Sequence, residues 1–536
     1  MKDKEAERVD VLLVGYENHE NLGLRSIMAY LLQEGHRVAL APFFPGMHDA
    51  VLEAARRHRP RVIGFSLIFQ YALEQFGTLM RALRTAGVDA HFTAGGHFPS
   101  LRPEETLLLL PELDSVVRFE GEHTLANLID RLDQPQEWRL VQGLAFRKDD
   151  TVTVNPARPL IADLDRLPPV YRNEPREAGP GIPMAAMLAS RGCLFDCSFC
   201  SIRQFYAGAS GARRRVRTPA GVAAEMRSLY DEKAVRFFAF QDDDFAAHSA
   251  RERAWLEDFL KALRDAGLQG RIRWKISCRV DDLQPALLEE MIGHGLMAVY
   301  LGVESGSATG LRSLNKRVTV EQNLAAVELL KEHDVALAVG FMLFDPSSTF
   351  DTVRENVAFL RQVGWDGYFP VNFCKMLPYA GTPIEEQLRR TERLRGTLVD
   401  PDYGFLDPRL DGYAWLVQRI FAKRNFAPDG SVALLQRADF DERLSRSFAG
   451  LTPATGVGEQ VARLAARSNQ SVCETLEALM AHVLEGGIDG VLKRQDALVD
   501  LAERAWRTEM AIEIALRRLA AVRSDAQPQD TVAIPM

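Results

Sequence analysis

RGCLFDCSFCS, residues 191–201, places Cys193, Cys197 and Cys200 within eight residues of a chain that has only six cysteines. Three neighbouring thiols cannot form an even set of disulfides. A structural zinc site normally has four protein ligands, commonly from paired CxxC units, and no second CxxC occurs in this sequence. Iron-sulfur clusters also bind cysteine thiolates and normally use four. The CxxxCxxC spacing therefore predicts a four-iron cluster that is held by three thiolates and leaves one iron open.

The cysteine loop follows the first of six strand-like runs that alternate with helical patterns. The runs are MAAMLAS (184–190), VRFFAFQD (235–242), RIRWKISC (271–278), AVYLGVES (298–305), ALAVGFMLF (336–344) and FPVNFCKMLP (369–378), and helices are predicted over 218–232, 247–266, 284–295, 307–332 and 350–363. A full parallel barrel needs eight strand and helix units, so six predict a partial, open barrel. Chemistry in such barrels gathers at the carboxyl ends of the strands.

A second alternating block precedes the loop, from residue 9 to about 135. The regular alternation of strand and helix predicts a doubly wound, Rossmann-like parallel sheet with helices on both faces, so the predicted fold class is α/β. Ligands of such sheets bind beyond the carboxyl ends of the strands. The segments found there are ENHENLGLRS (17–26), SLIFQY (66–71), GGHFPS (95–100) and EGE (120–122), and we expect them to converge on a large-ligand site.

Composition shifts divide the chain further. We predict a sheet domain over 1–140, a linker with a hairpin over 141–182, a barrel over 183–383, a helical region over 384–522 and a disordered tail over 523–536. The helical region is expected to consist of packing helices, with capping of the barrel or binding of a carrier protein as alternatives.

The overall composition favours a cytoplasmic protein without membrane or nucleic-acid partners. The opening has no apolar run of the kind found in a signal sequence, and no stretch approaches the length of a membrane span. A net charge of -8 argues against a surface that coats nucleic acid. The basic run ARRRVR (212–217) is the exception, and a solvated loop is favoured over a phosphate or carboxylate site.

CLFDCSFC resembles the signature of the radical S-adenosylmethionine (SAM) superfamily. In that family the open iron binds the amino and carboxylate groups of SAM, which an electron from the cluster cleaves to a 5′-deoxyadenosyl radical. The resemblance implies a [4Fe-4S] cluster on the three cysteines and SAM contacts from Phe199, Gln241, Asp242, Asp243, Arg279, Glu304 and Ser305. Gln241 and the two aspartates stand where relatives carry glycines, so these three residues match the family motif in position but not in residue type. Arg279 suits the SAM carboxylate, although Arg279 and Glu304 could instead form strand-end salt bridges.

The first block resembles the cobalamin-binding domain that precedes the barrel in one branch of this superfamily. The resemblance implies cobalamin contacts from Asn21, Leu22, Ser66, Leu67, Phe69, Gln70, Gly95, Gly96, His97, Glu120, Gly121 and Glu122. The DxHxxG motif that supplies a cobalt ligand in other cobalamin proteins is absent, because Glu17 replaces the aspartate and Gly23 stands one residue too far from His19. The loop of Phe69 and Gln70 is therefore expected to cover the lower face of the corrin.

Together the two resemblances imply a methyltransferase that uses one SAM to methylate cobalamin and another to generate a radical on an unactivated substrate carbon. The implied partners are a small-molecule substrate, free or bound to a carrier protein, and an external electron donor. Cys374 and Tyr379 could face the substrate, with a buried apolar role as the alternative for Cys374. Cyclisation, ring contraction or rearrangement without methyl transfer stays open, as does a non-enzymatic cobalamin or cluster sensor. A methylthiotransferase is disfavoured because no cysteine precedes Cys193.

Overall fold

A computed structural model describes residues 8–17, 20–149, 151–245, 249–448, 451, 455–493 and 495–524, with the backbone alone for 486–493 and 522–524. The chain divides into two compact units. Unit 1 consists of 1–174, 186–221 and 378–402, and unit 2 of 175–185, 222–377 and 403–536. Each unit thus combines chain segments that are far apart in sequence.

A seven-stranded sheet forms the centre of unit 1, in the order β2-β1-β3-β4-β5-β6-β7. The first five strands are parallel and the last two are antiparallel. The strands are β1 (Val11–Tyr16), β2 (Val38–Phe43), β3 (Val62–Ser66), β4 (His91–Gly95), β5 (Ser115–Val117), β6 (Leu144–Lys148) and β7 (Thr151–Val154). The helices are α1 (Leu22–Gln33), α2 (His48–His58), α3 (Leu73–Thr85), α4 (His97–Leu101), α5 (Pro103–Leu109), α6 (Glu122–Arg131) and α7 (Pro135–Trp138).

Helices cover both faces of this sheet because the central strands are apolar on both sides. Leu12 and Val14 of β1 pack in the core that α2 and α3 cover. Val11 and Leu13, which point the other way, pack in the core that α1 and α6 cover. A strand buried on both faces reads as a continuous apolar run, so the predicted doubly wound sheet is confirmed.

The hairpin predicted in the linker is present as β6 and β7, and it extends the sheet. Leu144 pairs with Val117 of β5 in an antiparallel register. The sheet therefore continues beyond residue 140, and the predicted domain bounds remain predictions.

Unit 2 contains a second seven-stranded sheet, in the order β16-β15-β14-β13-β12-β9-β8. β12 to β16 pair in parallel, and β8 and β9 form an antiparallel hairpin. The strands are β8 (Arg176–Gly179), β9 (Ile182–Met187), β12 (Phe237–Phe240), β13 (Arg273–Arg279), β14 (Leu296–Glu304), β15 (Ala336–Phe344) and β16 (Cys374–Lys375). All six predicted barrel strands are present, which confirms the partial barrel.

The remaining elements include the predicted barrel and C-terminal helices together with short strands that were not predicted. They are the short strands β10 (Ser190–Arg191), β11 (Arg215–Val216), β17 (Leu394–Gly396) and β18 (Pro401–Tyr403), and the helices α8 (Ser201–Ala207), α9 (Pro219–Glu232), α10 (Ala250–Asp265), α11 (Pro285–Gly293), α12 (Ala308–Ser313), α13 (Val320–Glu332), α14 (Phe350–Gly364), α15 (Pro383–Arg390), α16 (Pro408–Phe426), α17 (Ser431–Ser447), α18 (Val457–Lys493) and α19 (Gln495–Ser524). The single helix expected over 307–332 is two, because Asn315 and Arg317 take positive φ angles and Thr319 caps α13.

The last barrel strand is much shorter than predicted. Over 369–373 the backbone bonds to helices in place of a neighbouring strand. The Asn469 side chain accepts from Val371 N (2.8 Å) and donates to the Phe369 carbonyl (2.9 Å), while Arg424 donates to the Val371 carbonyl (2.8 Å). These helices thus fill backbone hydrogen-bonding sites that a strand would use.

The C-terminal helices complete unit 2. Phe440 and Leu444 of α17 pack against Ala239, Ala298 and Ala336 of the sheet. The helices are joined by a buried polar cluster in which Ser468 bonds to both Arg424 and Glu509. No helix among the described residues is both long and apolar enough to cross a membrane. The predicted disorder of the tail falls outside the described residues except at 523–524, which end α19.

Candidate cofactor sites of the two units

The three clustered cysteines lie on the loop between β10 and α8, and all three are half-buried. The loop begins at Gly192, whose φ of 85° is in the left-handed region. A Cβ there would lie 1.8 Å from the Arg213 carbonyl oxygen, so only glycine allows this approach. A hydrogen bond from Cys200 N to the Cys197 carbonyl (3.3 Å) tightens the loop.

The basic run holds this loop in place. Arg213 pairs with Asp196 (3.0 Å), and Arg214 donates to the Gly192 carbonyl (3.1 Å). Arg215 pairs with Glu120 (2.9 Å) and is only 6% exposed. The expectation of a solvated loop at 212–217 is therefore wrong: these guanidinium groups are structural partners of the cysteine loop and of the sheet loop after β5.

The donor chemistry of the cysteine loop fits an iron-sulfur cluster. Thiolates are the usual ligands of such clusters, and three on one loop leave a fourth iron for another ligand. Within the described part of the chain, no three His, Cys, Asp or Glu side chains are gathered in a metal-binding arrangement. The assignment of Cys193, Cys197 and Cys200 as ligands accordingly stays a prediction that rests on their spacing.

Glu120 and Glu122, predicted to contact cobalamin, pair with arginines from the cysteine-loop segment. Arg191, two residues before Cys193, bonds to Glu120 (3.0 Å), Glu122 (2.6 Å) and Ser26 Oγ (2.8 Å). Burial alone would raise the pKa of Glu122, but the Arg191 guanidinium and its hydrogen bonds hold that pKa below its usual value. Both carboxylates therefore fix the cysteine loop to the sheet domain.

The loops after β1, β3 and β4 meet at one edge of the sheet, as predicted. Asn21 caps α1 by accepting from Leu24 N (3.1 Å), and its amide donates to Ser66 Oγ (3.4 Å). Gly96 has a φ of 120°, and a Cβ there would lie 2.3 Å from the Leu67 carbonyl oxygen. Gly96 therefore allows its own backbone to approach the backbone of the neighbouring loop at Leu67. Leu22 and Gly95, the other predicted residues of these segments, lie at the same edge, as does Gly121 after β5.

His97 begins α4 beside the helix that follows the cysteine loop. Its Nδ1 lies 3.5 Å from Ser201 Oγ, and its ring centroid lies 4.5 Å from that of Phe205. Burial lowers the pKa of His97 to about 4, so the ring is neutral at pH 7. His19, the histidine of the incomplete DxHxxG motif, lies outside the described residues.

Phe69 and Gln70, expected under the corrin, differ in their surroundings. Gln70 is buried, donates to the Leu398 carbonyl (2.8 Å) and accepts from Ala380 N (2.6 Å). Phe69 is 36% exposed and stacks on Tyr71, which is 51% exposed. Exposed aromatic rings suit contact with a large flat ring, so the chemistry of this loop fits a corrin, with Phe69 as the side chain available for contact.

In unit 2, two predicted SAM residues already have ionic partners. Arg279, at the end of β13, binds both carboxylate oxygens of Asp281 (2.9 and 3.1 Å). Glu304, at the end of β14, accepts from Lys316 Nζ (3.1 Å). The alternative of strand-end salt bridges is thus what the structure contains. The Arg279–Asp281 pair could be predicted because the two residues are close in sequence, whereas nothing in the sequence indicates that Lys316 pairs with Glu304.

The other predicted SAM residues differ in accessibility. Ser305 is fully buried, and its hydroxyl donates to Asn356 Oδ1 (3.0 Å). After β12, Asp242 is buried and Asp243 is exposed, while Gln241 is half-buried. Phe199, within the cysteine loop of unit 1, is half-buried.

The two candidate substrate residues fall in different units, Cys374 in unit 2 and Tyr379 in unit 1. The Cys374 thiol donates to the Phe341 carbonyl (3.7 Å) and lines a cavity of about 90 Å³ with Phe344 and Phe421. Burial raises the pKa of Cys374 to about 12, so the thiol is neutral at pH 7. Its surroundings are those of a buried apolar cysteine. The Tyr379 ring packs against Phe69, with centroids 5.5 Å apart.

Two segments of the chain match known protein families. Residues 8–129 match the B12 binding domain family, and residues 187–360 match the radical SAM superfamily. An uncharacterized methyltransferase of Pyrococcus horikoshii is 27% identical over 63% of this chain and 71% of its own length. An anaerobic magnesium-protoporphyrin IX monomethyl ester cyclase of Rubrivivax gelatinosus is 30% identical over 63% of this chain but only 61% of its own length.

A solved structure shows the same fold. The cobalamin-dependent S-adenosylmethionine radical enzyme OxsB, with aqua-cobalamin and S-adenosylmethionine bound, superposes with a TM-score of 0.68 at 16% identity. The superposition covers 98% of this chain and 82% of OxsB. The likeness therefore extends through the C-terminal helices, where the sequence offers no motif.

Proposed function

We propose that this chain, which belongs to the cobalamin-binding radical SAM enzymes, moves a methyl group from cobalamin to an unactivated carbon of a small metabolite or natural-product intermediate. The observation that carries the proposal is the CxxxCxxC loop directly after the first barrel strand, in a chain that opens with a B12 binding domain. A relative described as a methyltransferase supports the reaction type.

When bound, the cluster and SAM supply a 5′-deoxyadenosyl radical, and cobalamin supplies the methyl group. The chain's own residues bind and orient these groups. The thiolates of Cys193, Cys197 and Cys200 would hold three irons. Arg191, through Glu120 and Glu122, keeps the loop that bears them against the sheet domain.

The SAM-binding residues are proposed to act through the ion pairs described above. Arg279 offers a planar guanidinium that Asp281 already orients. A carboxylate of SAM would be a second acceptor for that guanidinium, in the geometry that arginine favours. Glu304 would bind the ribose hydroxyls while Lys316 compensates its charge. Positioning of this kind is the protein's share of the catalysis.

A second candidate function is a radical cyclisation without methyl transfer. It is favoured by the 30% identity to a cyclase named for magnesium-protoporphyrin IX monomethyl ester. Both reactions use the same cofactors, so the mass of the product separates them, because only methyl transfer adds a methyl group. We further propose a cytoplasmic location, an external electron donor, and a substrate that is free or bound to a carrier protein.

Anaerobic reconstitution tests the proposal. The wild-type chain should bind about four irons with sulfide and one corrin, and after reduction with SAM it should form 5′-deoxyadenosine. Cys197→Ala should lose most of the iron and all of this product. Cys473→Ala, which removes a buried thiol from α18, is the matched control and should retain both. Zinc in place of iron, or unchanged iron in Cys197→Ala, would refute the proposal.

A further inference from the structure

Lys275 lies on β13 in the middle of the sheet of unit 2, on the face opposite α10, which we call the inner face. Its neighbour Trp274 points to the opposite face, where its ring packs against Phe240 and Phe259 near α10. Because side chains alternate along a strand, Lys275 points away from α10 and toward the face on which Phe440 and Leu444 of α17 pack. It is in register with Ala239 of β12 and Ala298 of β14, so its flanking neighbours on that face are small.

The lower end of this inner face is closed by α17. Ala239 and Ala298 pack in one core with Phe440 and Leu444 of that helix. One step lower on β13, Arg273 lies over the Phe448 ring, 5.4 Å from its centroid. Lys275 therefore stands at the level of this apolar core, between two of its alanines, and about 13 Å below Arg279 at the carboxyl end of the strand.

Above Lys275 the inner face carries two hydroxyl groups. Ser277 pairs with Tyr300, and Tyr300 pairs with Ala338. The Tyr300 hydroxyl lies over Gly340, where a Cβ would be 2.4 Å away, and 38% of Tyr300 is exposed although it belongs to a central strand. Small residues on three adjacent strands thus flank two hydroxyl groups and an amine on this face.

The amine of Lys275 has no hydrogen-bond or ion-pair partner among the described residues. Burial lowers the pKa of Lys275 to about 8, with no neighbouring charge contributing. The charged groups nearest to it along the inner face of β13 are cations, Arg273 and Arg279, and Glu304 at the end of β14 is paired with Lys316. A desolvated amine without a counter-charge is costly unless a ligand supplies one.

We propose that Lys275 binds an anionic group of the substrate, a carboxylate or a phosphate, inside the barrel sheet. The inference rests on the proposed function, since it assigns a substrate class to that reaction. An ammonium group binds such anions as a compact point charge, and the enclosed surroundings strengthen the attraction. Ser277 and Tyr300 stand where they can add hydrogen bonds to the same molecule.

Titration of the lysines in the full chain tests this assignment. Reductive methylation with ¹³C formaldehyde gives each lysine an NMR signal and keeps its charge. The Lys275 signal is identified by its loss in Lys275→Met, or in Lys275→Arg if the first variant does not fold. Lys261→Met, at an exposed helix position, is the matched control. The probes are inorganic phosphate and acetate, added separately.

We expect the Lys275 signal to titrate near pH 8 and its pKa to rise by about one unit with a bound probe, which is a tenfold preference for the protonated amine. A response to phosphate alone assigns a phosphate-bearing substrate, and a response to acetate assigns a carboxylate. The Lys261 signal should not respond. A Lys275 signal that titrates near 10, or that ignores both probes, would overturn the inference. Failure of the proposed function appears separately, as absence of 5′-deoxyadenosine from the wild type.

Discussion

Replacing Arg191 by methionine should destabilise unit 1 by an amount that depends on pH. The change removes the charge that keeps the buried Glu122 carboxylate ionised, whereas Glu120 keeps Arg215 as a partner. Without Arg191, we expect the buried Glu122 carboxylate to become neutral by taking up a proton. From an ordinary pKa of 4.5, that protonation costs about 3.4 kcal/mol at pH 7, at 1.36 kcal/mol for each unit. Measured costs of breaking a buried pair, about 3–5 kcal/mol, agree.

The same reasoning fixes how the cost changes with pH. At pH 5.5 the proton is more available, so the cost of Arg191→Met should be about 2 kcal/mol smaller than at pH 7. In the wild type the pKa of folded Glu122 is lowered. Its stabilisation is therefore fully present above the unfolded pKa and is lost as the pH falls through the folded pKa. The wild type should accordingly change little between pH 7 and 5.5 on account of Glu122.

Urea unfolding of the full chain at both pH values, followed by circular dichroism, measures the cost. Glu122→Gln and the double variant complete a mutant cycle, in which the double variant should cost less than the sum of the single variants. Arg57→Met removes an exposed pair with Glu53 and should cost less than about 1 kcal/mol. A cost of Arg191→Met that is the same at pH 7 and 5.5 would refute the reasoning, because it would mean that Glu122 does not take up the proton.

Three further changes test other parts of the structure. Gly96→Ala should cost roughly 3 kcal/mol in urea unfolding, because it forces a Cβ against the Leu67 carbonyl at a φ of 120°; Gly35→Ala, where the φ is 89° but nothing lies within 4 Å, should cost less. Asn469→Ala should cost about 2–4 kcal/mol and speed hydrogen exchange at Val371 N, because it leaves buried backbone groups unbonded; unchanged exchange there would contradict the account. Burial and nearby acids raise the pKa of Asp282 to about 8, so the folded chain holds a proton there that the unfolded chain releases above pH 3.8. Stability should therefore fall as the pH rises toward 8, and Asp282→Asn should raise the melting temperature at about pH 8.5 more than at about pH 6, with an equal effect at both counting against this.

Most of the fold could be predicted because strands buried on both faces leave a strong local signal. The runs VLLVGY and ALAVGFMLF are apolar throughout, and this pattern predicts strands. The run 369–378 has the same apolar character but forms only two residues of strand. Its backbone groups bond to Asn469 and Arg424, which lie far along the chain, and local sequence contains no sign of such partners.

For the candidate sites, the sequence predicts the chemical type of the residues but not the contacts that they make. Cysteine spacing predicts the cluster loop because all three candidate ligands come from one short segment. The ion pairs could not be anticipated, because Arg191 and Arg215 meet Glu120 across 71 and 95 residues of sequence. A charged residue in a sequence has the same appearance whether water or a distant partner solvates it, so the sequence of 212–217 predicts a solvated loop although its arginines are paired.

The discontinuous composition of unit 1 has a consequence for the order in which the protein can form. All strands from β1 to β7 have been synthesised once residue 154 has left the ribosome. The hydrogen bonds of Gln70 to Ala380 and Leu398 can form only later, because these two residues lie more than 300 positions beyond Gln70 in the chain. Until then a nascent chain holds a sheet whose ligand-facing edge lacks these contacts. Expression of residues 1–182 alone would omit the cysteine loop and residues 378–402, both of which belong to unit 1. The cobalamin-binding domain should therefore be prepared as part of the full chain.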